Sequence, residues 1–135
     1  MPSLKPIVFT DDVAPTNSRT FTPNGISDDG TGQLINLTGT PAESATLQYG
    51  MRQAGSSRFN GKLRLAIPAV VTETVNGVNV PKVDHSDFIE VRPSFSPRST
   101  LEQRKAALRM AAELMHPDTG NADVIASFCG LERVW

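Results

Sequence analysis

The sequence predicts an α+β fold in which an antiparallel sheet comes first and two helices follow. Ten proline and ten glycine residues among 135 favour a turn-rich β protein over a helical bundle. Three segments within residues 46–92 alternate apolar and polar side chains, which is the pattern of strands with one covered face. From residue 99 onwards the apolar residues recur with helical spacing instead. Strands first and helices last is the order of an α+β domain whose helices lie on one face of the sheet.

The N-terminal segment predicts a short β-hairpin. Residues 7–9 and 19–21 are apolar-containing arms on either side of the turn-rich residues 11–17. Residues 23–25 (PNG) and 28–30 (DDG) then indicate a loop, because asparagine, aspartate, proline and glycine favour turns. We expect the hairpin to occupy about residues 1–25.

A sheet is predicted over about residues 30–97. Residues 33–38 are a strand candidate with imperfect alternation, since two apolar residues are adjacent there. Residues 46–52, 62–67 and 88–92 alternate cleanly, with the aliphatic side chains at odd positions. One face of the sheet therefore collects the apolar side chains of Leu47, Tyr49, Met51, Leu63, Leu65, Ile67, Ile89 and Val91.

Two helices are predicted over about residues 99–130. Ser99 and Glu102 have the spacing of a capping box, which predicts a helix beginning there. Pro117 disfavours helix at the preceding His116 and so ends this helix. A shorter helix is predicted over residues 122–129, with Gly130 as its stop.

Residues 72–81 (TETVNGVNVP) carry two conflicting signals. The pair Asn76–Gly77 favours a type I′ hairpin turn, which needs positive φ at both central residues. Pro81 lacks the N–H of a ladder hydrogen bond and limits the second arm to three residues. We interpret the segment as a loop with a hairpin-like tip.

Composition restricts the class of protein. The formal net charge of −1 and the sequence pI near 6.1 provide no global basic field that would indicate nucleic-acid binding. A single cysteine, Cys129, excludes an internal disulfide. Residues 1–12 lack the apolar core of a signal peptide, and no stretch approaches the roughly 20 apolar residues of a membrane span. We expect a single soluble, cytosolic domain.

The catalytic interpretation depends on residues 84–87 (DHSD), which bring carboxylate, imidazole and hydroxyl groups together. Adjacent residues of an extended chain point to opposite sides, so this run does not build a catalytic triad. Two histidines and one cysteine provide no metal-ligand spacing, and no glycine-rich phosphate loop is present. The sequence therefore predicts neither an enzyme, nor a cofactor, nor a metal site, and a hydrolase built around His85 is the remaining catalytic alternative.

A local charge asymmetry indicates a binding face. No acidic residue lies between Glu43 and Glu73, whereas Arg52, Arg58, Lys62 and Arg64 do. Arg52, Lys62 and Arg64 share the parity of Gln48 and Phe88, so these side chains are predicted on one face. An aromatic ring among cations suits single-stranded RNA, because the ring stacks a base while the cations bind phosphates. A plain solvated face and a protein-binding face are the alternatives.

The opposite, apolar face needs a cover, which favours dimerisation.

The ordered series of residues resembles one protein family. The resemblance rests on MRQ at residues 51–53, the strand of residues 58–67 with Pro68, the whole of residues 72–81, FIE at residues 88–90, Phe95, and the helix start with Ser99, Thr100, Glu102 and Arg104. This series is similar to that of the coat proteins of small single-stranded RNA bacteriophages, the leviviruses. The similarity extends over about residues 45–114.

The resemblance implies an N-terminal β-hairpin, a five-stranded antiparallel sheet and two C-terminal helices. It implies an interlocked dimer with a continuous ten-stranded sheet, which assembles into an icosahedral T=3 shell around the single-stranded RNA genome. It also implies that the inner face binds an RNA stem-loop, as translational repressor of the replicase and as packaging signal. The chain would then be a virion protein that assembles in the bacterial cytoplasm, with no membrane and no small-molecule substrate as partner. A dimeric RNA-binding regulator that forms no shell is the alternative.

The resemblance also carries over to single positions. Asn60, Lys62 and Arg64 match RNA contacts of the family, Phe88 matches a base-stacking tyrosine, and Glu90 matches an aspartate or asparagine beside that base. Together with the parity argument, this predicts an RNA-binding set of Gln48, Arg52, Arg58, Asn60, Lys62, Arg64, Phe88 and Glu90. The loop at the shell's symmetry axes would comprise Thr74, Val75, Asn76, Gly77, Val78, Asn79, Val80 and Pro81.

Overall fold

The structure is a computed structural model of the 135-residue chain. It describes residues 3–11, 17–37, 41–55 and 57–133. The turn predicted near residues 12–16 and the end of the strand predicted to reach Thr38 lie outside these residues. The chain divides into two compact units, Met1–Ser94 and Phe95–Trp135.

Within the described residues, six strands pair antiparallel in the order in which they occur along the chain. This confirms the predicted antiparallel sheet, but the strand count differs from the predicted five, because the N-terminal hairpin belongs to the same sheet. A short 3-10 turn at Pro41–Glu43 precedes the fourth strand, and a two-residue strand follows the sixth. The strands are β1 (Ile7–Asp11), β2 (Asn17–Ile26), β3 (Gly32–Asn36), β4 (Ala45–Ala54), β5 (Arg58–Val75), β6 (Val78–Val91) and β7 (Ser94–Phe95).

The N-terminal hairpin continues directly into the sheet. β1 pairs with β2 as predicted, but β2 extends to Ile26 and also pairs with β3. The loop predicted at residues 23–25 is therefore wrong. A bulge explains the difference: Pro23 and Gly25 each have a partner in β3, and Asn24 between them is the additional residue. Bulges accommodate residues that would otherwise end a strand.

The buried core lies where β2, β3 and β4 meet. Leu4, from the segment before β1, packs over Gly32, where a Cβ atom would lie 2.7 Å from the Leu4 Cδ1. The N-terminal segment therefore covers this part of the apolar face, and a side chain at residue 32 would require the Leu4 side chain to move. The buried core side chains are Phe21, Leu34, Ala45 and Leu47.

The register of β4, β5 and β6 confirms the predicted division of the sheet into two faces. Leu47 lies opposite Leu65, and Leu65 lies opposite Ile89. Odd-numbered residues of these strands thus share one face, here called the odd face, and even-numbered residues share the even face. A bulge between Ala69 and Val70 ends this common register, because Asp84 is an additional residue in β6 there.

Beyond the main sheet, β5 and β6 continue as a ribbon formed by residues 67–75 and 78–87. The ladder between β4 and β5 ends at Ala66, so this part of β5 pairs with β6 only. Asn76 (φ 51°) and Gly77 (φ 78°) form its tip, which confirms the type I′ signal of the sequence. At about 3.3 Å per residue the ribbon is about 30 Å long.

The loop predicted over residues 72–81 is thereby corrected to paired strand ends. Thr72 lies opposite Pro81, in the fourth pair outward from the turn, and the first of these pairs, Val75 with Val78, is hydrogen-bonded. Counted outward from a two-residue turn, pairs alternate between hydrogen-bonded and non-hydrogen-bonded. Pro81 falls on a non-hydrogen-bonded pair, so its missing N–H removes no bond of this ladder.

The second unit contains the two predicted helices, α1 (Leu101–Met115) and α2 (Ala122–Cys129). Both bounds of α2 and the end of α1 before His116 lie where they were predicted. Asn121 begins α2, because its side-chain oxygen accepts hydrogen bonds from the backbone N–H of Asp123 and Val124. Neither helix has a buried residue, although both carry large apolar side chains.

The capping box of α1 lies one residue later than predicted. The Thr100 hydroxyl accepts from the Gln103 N–H at 3.3 Å, and the Gln103 side chain accepts from the Thr100 N–H at 2.9 Å. Ser99 instead donates its hydroxyl to the Ser96 carbonyl at 2.7 Å. The sequence STLEQ fits the box in two registers, since Thr100 and Gln103 have the same spacing as Ser99 and Glu102.

We expect the substitution Thr100→Ala to lower the free energy of unfolding by about 1 kcal/mol, because it leaves the first N–H groups of α1 without their acceptor. Urea unfolding at fixed protein concentration measures this change. Glu102→Gln keeps the cap and is the control. An equal loss in both variants would contradict the assignment of Thr100 as the capping residue.

Candidate nucleic-acid interface

The even face collects polar, cationic and aromatic side chains from three adjacent strands. One row across the sheet consists of Gln48, Arg64 and Glu90, on β4, β5 and β6. The next row ends on Phe88, which lies opposite Ala66. Further rows pair Lys62 with Gly50, Asn60 with Arg52 and Arg58 with Ala54. The structure therefore brings all eight predicted RNA-binding residues to this face of the sheet.

Arg64 and Phe88 form a cation–π contact. The guanidinium Cζ of Arg64 lies 4.9 Å from the ring centroid of Phe88, within the range of such interactions. Phe88 is nevertheless 59% exposed. A large exposed ring on a cationic face is a platform on which a base can stack.

Glu90 is the acidic member of the face. Its Oε1 accepts a hydrogen bond from the Nε of Arg92. This bond, together with the positive charges of Arg92, Lys62 and Arg64, lowers the pKa of the Glu90 carboxyl. Glu90 is therefore an ionised hydrogen-bond acceptor over a wide range of pH.

Arg58 and Asn60 are held by Ser94. The Arg58 Nε donates to the Ser94 hydroxyl at 2.8 Å, and an Arg58 terminal nitrogen donates to the Ser94 carbonyl at 3.0 Å. The Ser94 hydroxyl in turn donates to the Asn60 Oδ1 at 2.9 Å. By contrast, Lys62 and Arg52 make no ion pair within the part of the chain that the structure describes, so their charges are available to a ligand.

A cleft of about 480 Å³ opens beside these cations. Asp29, from the predicted turn at residues 28–30, is its acidic side chain. Hydrogen bonds from Ser27 and Thr31 lower the pKa of the Asp29 carboxyl from 3.8 to about 2. The residues that line the cleft are Asp29, Thr31, Gly50, Met51, Arg52, Asn60, Gly61, Lys62, Arg92, Pro93 and Ser94.

Two charged residues of the cleft, Asp29 and Arg92, are not among the predicted RNA-binding residues. Arg92 follows the even parity of Phe88 and Glu90, and that signal was present in the alternating residues 88–92. Asp29 belongs to the turn before β3, so its position beside the cleft depends on pairing between distant segments that no local pattern reveals.

The odd face remains open where the N-terminal segment does not cover it. Met51 is 51%, Leu63 40% and Ile89 54% exposed. In the separate helical unit, Leu101, Leu108 and Leu114 are also about half exposed. Apolar side chains exposed at this density mark an interaction surface.

The ribbon carries the predicted assembly residues at its exposed tip. Val75, Val78 and Val80 are each between 44% and 62% exposed. Thr74 donates its hydroxyl to the Asn79 side chain across the two strands at 2.9 Å. The ribbon is thus an ordered apolar arm with both of its strands accessible along this end.

The residues around His85 form an ordinary exposed cluster. The His85 Nδ1 lies 2.9 Å from an Asp84 oxygen, and this contact, with a further contribution from the Asp87 charge, raises the pKa of His85. Among the described residues, no group of three or more histidine, cysteine, aspartate or glutamate side chains could hold a metal ion. None of the described helices is long and apolar enough to cross a membrane.

Comparison with known proteins identifies one family over nearly the whole chain. Residues 2–135 match the family described as Levivirus coat protein. The capsid protein of Pseudomonas phage PRR1 is 30% identical over 115 residues, which cover 85% of this chain and 87% of that protein.

Three solved structures share the fold. The virus-like particle of bacteriophage ESE058 matches with a TM-score of 0.81 at 21% identity, over 99% of this chain and 100% of that one. The bacteriophage GA protein capsid matches with a TM-score of 0.78 at 15% identity, over 96% of both chains. An unassembled bacteriophage coat protein dimer, described as an RNA-binding dimer, matches with a TM-score of 0.68 at 11% identity over 98% of both.

Proposed function

This chain belongs to the levivirus coat protein family, and we propose that it dimerises, assembles into an icosahedral T=3 shell and binds an RNA stem-loop on its even face. The family consists of structural capsid proteins, so the prediction that the chain is not an enzyme is confirmed. The match runs over residues 2–135, which favours a single coat-protein domain.

Two features support the dimer. β6 pairs with β5 alone among the described strands, so its outer edge presents backbone N–H and C=O groups that a second β6 can bind. Such pairing would join the sheets of two subunits into one continuous sheet, in which β2–β6 of each subunit supply the ten strands. The open part of the odd face, with Leu63 and Ile89, would then be covered by helices α1 and α2 of the partner subunit.

The observation that carries the RNA proposal is the common register of β4, β5 and β6. It gathers Lys62, Arg64 and the exposed ring of Phe88 on one face. Cations that neutralise phosphates release the counterions condensed on the RNA, and this release makes such binding strongly dependent on salt. The ring adds base stacking, worth about 1–3 kcal/mol per base.

Binding of a stem-loop at the replicase start site would make the protein a translational repressor and would mark the genome for packaging. The same face lies inside the shell in this proposal, so that one surface serves repression before assembly and genome contact afterwards. Assembly would take place in the cytoplasm of the bacterial host, and the virion would be the final location.

Expression of the full chain in bacteria tests the shell proposal. Sedimentation and electron microscopy should show closed particles, and nuclease treatment of intact particles should leave protected RNA. If the chain instead forms only discrete dimers at every salt and protein concentration, and these dimers bind RNA, the result would support the regulator alternative. Particles that exclude RNA would contradict the assignment of the even face.

We further propose that the ribbon is an assembly joint at the symmetry axes of the shell. Its tip requires positive φ at Asn76 and Gly77, and alanine at both positions disfavours this turn by about 1–2 kcal/mol per residue. We expect the double substitution to reduce the yield of particles severalfold, because neighbouring ribbons no longer meet in one geometry. Dimers should persist, since the ribbon extends beyond the main sheet.

Gly55→Ala is the control for this experiment. Gly55 also has positive φ, at 62°, and lies in open space at the β4–β5 turn. Its replacement introduces the same kind of strain outside the ribbon. Particle yields that fall equally in both proteins, or dimers lost together with particles in the ribbon variant, would contradict the joint.

A further inference from the structure

Ser94 of β7 is the centre of a chain of hydrogen bonds at the end of the sheet. The Nε and Nη2 of Arg58 donate to its hydroxyl and carbonyl oxygens, at 2.8 and 3.0 Å. The same hydroxyl donates to the Asn60 Oδ1 at 2.9 Å. Arg58 and Asn60 both belong to β5, with which β7 pairs. These three residues are here called the Ser94 relay, because each hydrogen bond decides the direction of the next.

The guanidinium of Arg58 sets the direction of the relay. It carries donors only, so the Ser94 hydroxyl oxygen must accept from it. A hydroxyl has one hydrogen, which is then left for Asn60. The positive charge of Arg58 also polarises the hydroxyl, and this strengthens the second hydrogen bond.

The relay also decides which end of the Asn60 amide meets Ser94. With its carbonyl oxygen towards Ser94, the amide accepts the hydroxyl hydrogen. The reversed amide would place its N–H groups against an oxygen that already accepts from Arg58, and the hydroxyl hydrogen would lose its acceptor. Asn60 therefore keeps its Oδ1 on Ser94 and turns its Nδ2 away from it.

The Nδ2 of Asn60 is left for a ligand, since it makes no hydrogen bond among the residues that the structure describes. Arg52 lies opposite Asn60 in the ladder. Lys62, two residues further along β5, shares the even face with Asn60 at a spacing of about 7 Å. All three residues line the cleft. Their side-chain nitrogens are neighbouring donors, and a phosphate, whose oxygens accept, is the matching group.

Asp29, the acidic side chain of the cleft, is bound within its own turn. Its Oδ1 accepts hydrogen bonds from the Ser27 hydroxyl and the Thr31 N–H. Among the described residues it forms no ion pair with Arg52 or Lys62. The donors of the cleft are thus not neutralised by its carboxylate.

We infer that Ser94 is a positioning residue for RNA binding, which holds the Asn60 amide with its N–H groups towards a phosphate of the ligand. Arg58 acts through Ser94 and does not itself contact phosphate, although it shares the parity of Lys62. This inference rests on the proposed RNA-binding function and divides the predicted set into residues that touch the RNA and residues that orient them.

The test uses the full chain, shown by sedimentation to be unassembled in the assay buffer, and RNA hairpins with one common stem and loops of randomised sequence. Filter binding over a range of salt concentrations gives the affinity and the slope of log affinity against log salt. Ser94→Ala should lower the affinity about fivefold at every salt concentration, the effect of one oriented hydrogen bond. The slope should not change, because no cation is removed. Ser94→Thr keeps a hydroxyl and should bind within about twofold of the wild-type chain.

Further variants separate the relay from a general loss of structure. In a chain that already carries Asn60→Ala, the change Ser94→Ala should have no further effect, because the amide that it orients is absent. Arg58→Ala should lower the affinity as Ser94→Ala does and leave the slope unchanged, whereas Lys62→Ala should make the slope shallower by about 0.7–0.9. Ser127→Ala, on helix α2, removes a serine hydroxyl that donates to the Glu132 carbonyl at 2.9 Å and should bind as the wild-type chain does.

Three results would overturn the positioning role: an unchanged affinity in Ser94→Ala, losses that multiply when Ser94→Ala is combined with Asn60→Ala, or a Ser94→Thr chain that binds as weakly as Ser94→Ala. A slope that is as shallow in Arg58→Ala as in Lys62→Ala would show that Arg58 contacts phosphate, and would overturn its assignment. Failure of the wild-type chain to bind any hairpin would overturn the proposed RNA-binding function itself, so the two failures are distinguishable.

Discussion

The substitution Ile89→Asp should abolish both dimers and particles. Ile89 lies on the odd face of β6 and is 54% exposed in the single chain, at the centre of the surface that the partner's helices would cover. Burial of an isoleucine contributes about 1.5–3 kcal/mol, and an unpaired buried polar group costs several kcal/mol more. Because the interface is symmetric, the substitution occurs twice in each dimer. The total cost of about 10 kcal/mol exceeds the binding free energy of roughly 8 kcal/mol that corresponds to a dimer with a micromolar Kd.

Sedimentation velocity and electron microscopy measure this result. Ile26→Asp is the matched control, since Ile26 is 66% exposed on β2 and lies outside the proposed interface. That variant should give normal particles. Intact particles from Ile89→Asp would show that the odd face is not the dimer surface.

The second large effect concerns RNA. The double substitution Lys62→Ala and Arg64→Ala should weaken hairpin binding about 100-fold at moderate salt, because two phosphate-directed charges are lost and Phe88 loses its cation–π partner. The slope of log affinity against log salt should become shallower by about 1.4–1.8, the value for two fewer phosphate contacts.

Filter binding over a range of salt concentrations measures both quantities. Lys105→Ala, on helix α1 and paired with Glu102 at 3.2 Å, removes one charge outside the face and should leave the slope unchanged. An unchanged slope in the double variant would mean that these residues do not contact phosphate. Phe88→Ala should instead lower affinity at every salt concentration without altering the slope.

The faces of the sheet were predictable from the sequence because side-chain alternation is a local property. Odd positions such as Leu65 and even positions such as Lys62 must lie on opposite sides of any strand that contains both. The C-terminal ends of both helices were predictable for the same reason, since Pro117 and Gly130 act on their immediate neighbours. The ladder then confirmed that the three alternating segments are in phase.

What the sequence did not reveal depends on partners far along the chain. Pro23 and Pro81 indicate loops locally, but a bulge and a non-hydrogen-bonded edge position accommodate them in strands. Arg58 has the parity of an RNA contact, and only the structure shows its guanidinium bound to Ser94, 36 residues away. Its contribution to RNA binding should therefore be smaller than that of Lys62.

The bulge at Asp84 makes the length of the ribbon independent of the rest of the sheet. Side-chain packing sets the register of the main ladder, for example between Leu65 and Ile89, whereas the two-residue turn at Asn76–Gly77 sets the register of the ribbon. These two registers differ by one residue, and Asp84 takes up the difference. Deletion or insertion of cross-strand pairs in twos keeps a hydrogen-bonded pair beside the turn. Such changes can thus alter the reach of the arm without reversing any side chain of the even face. The proposed role of the arm in assembly and the proposed role of the even face in RNA binding can then change separately within one short chain.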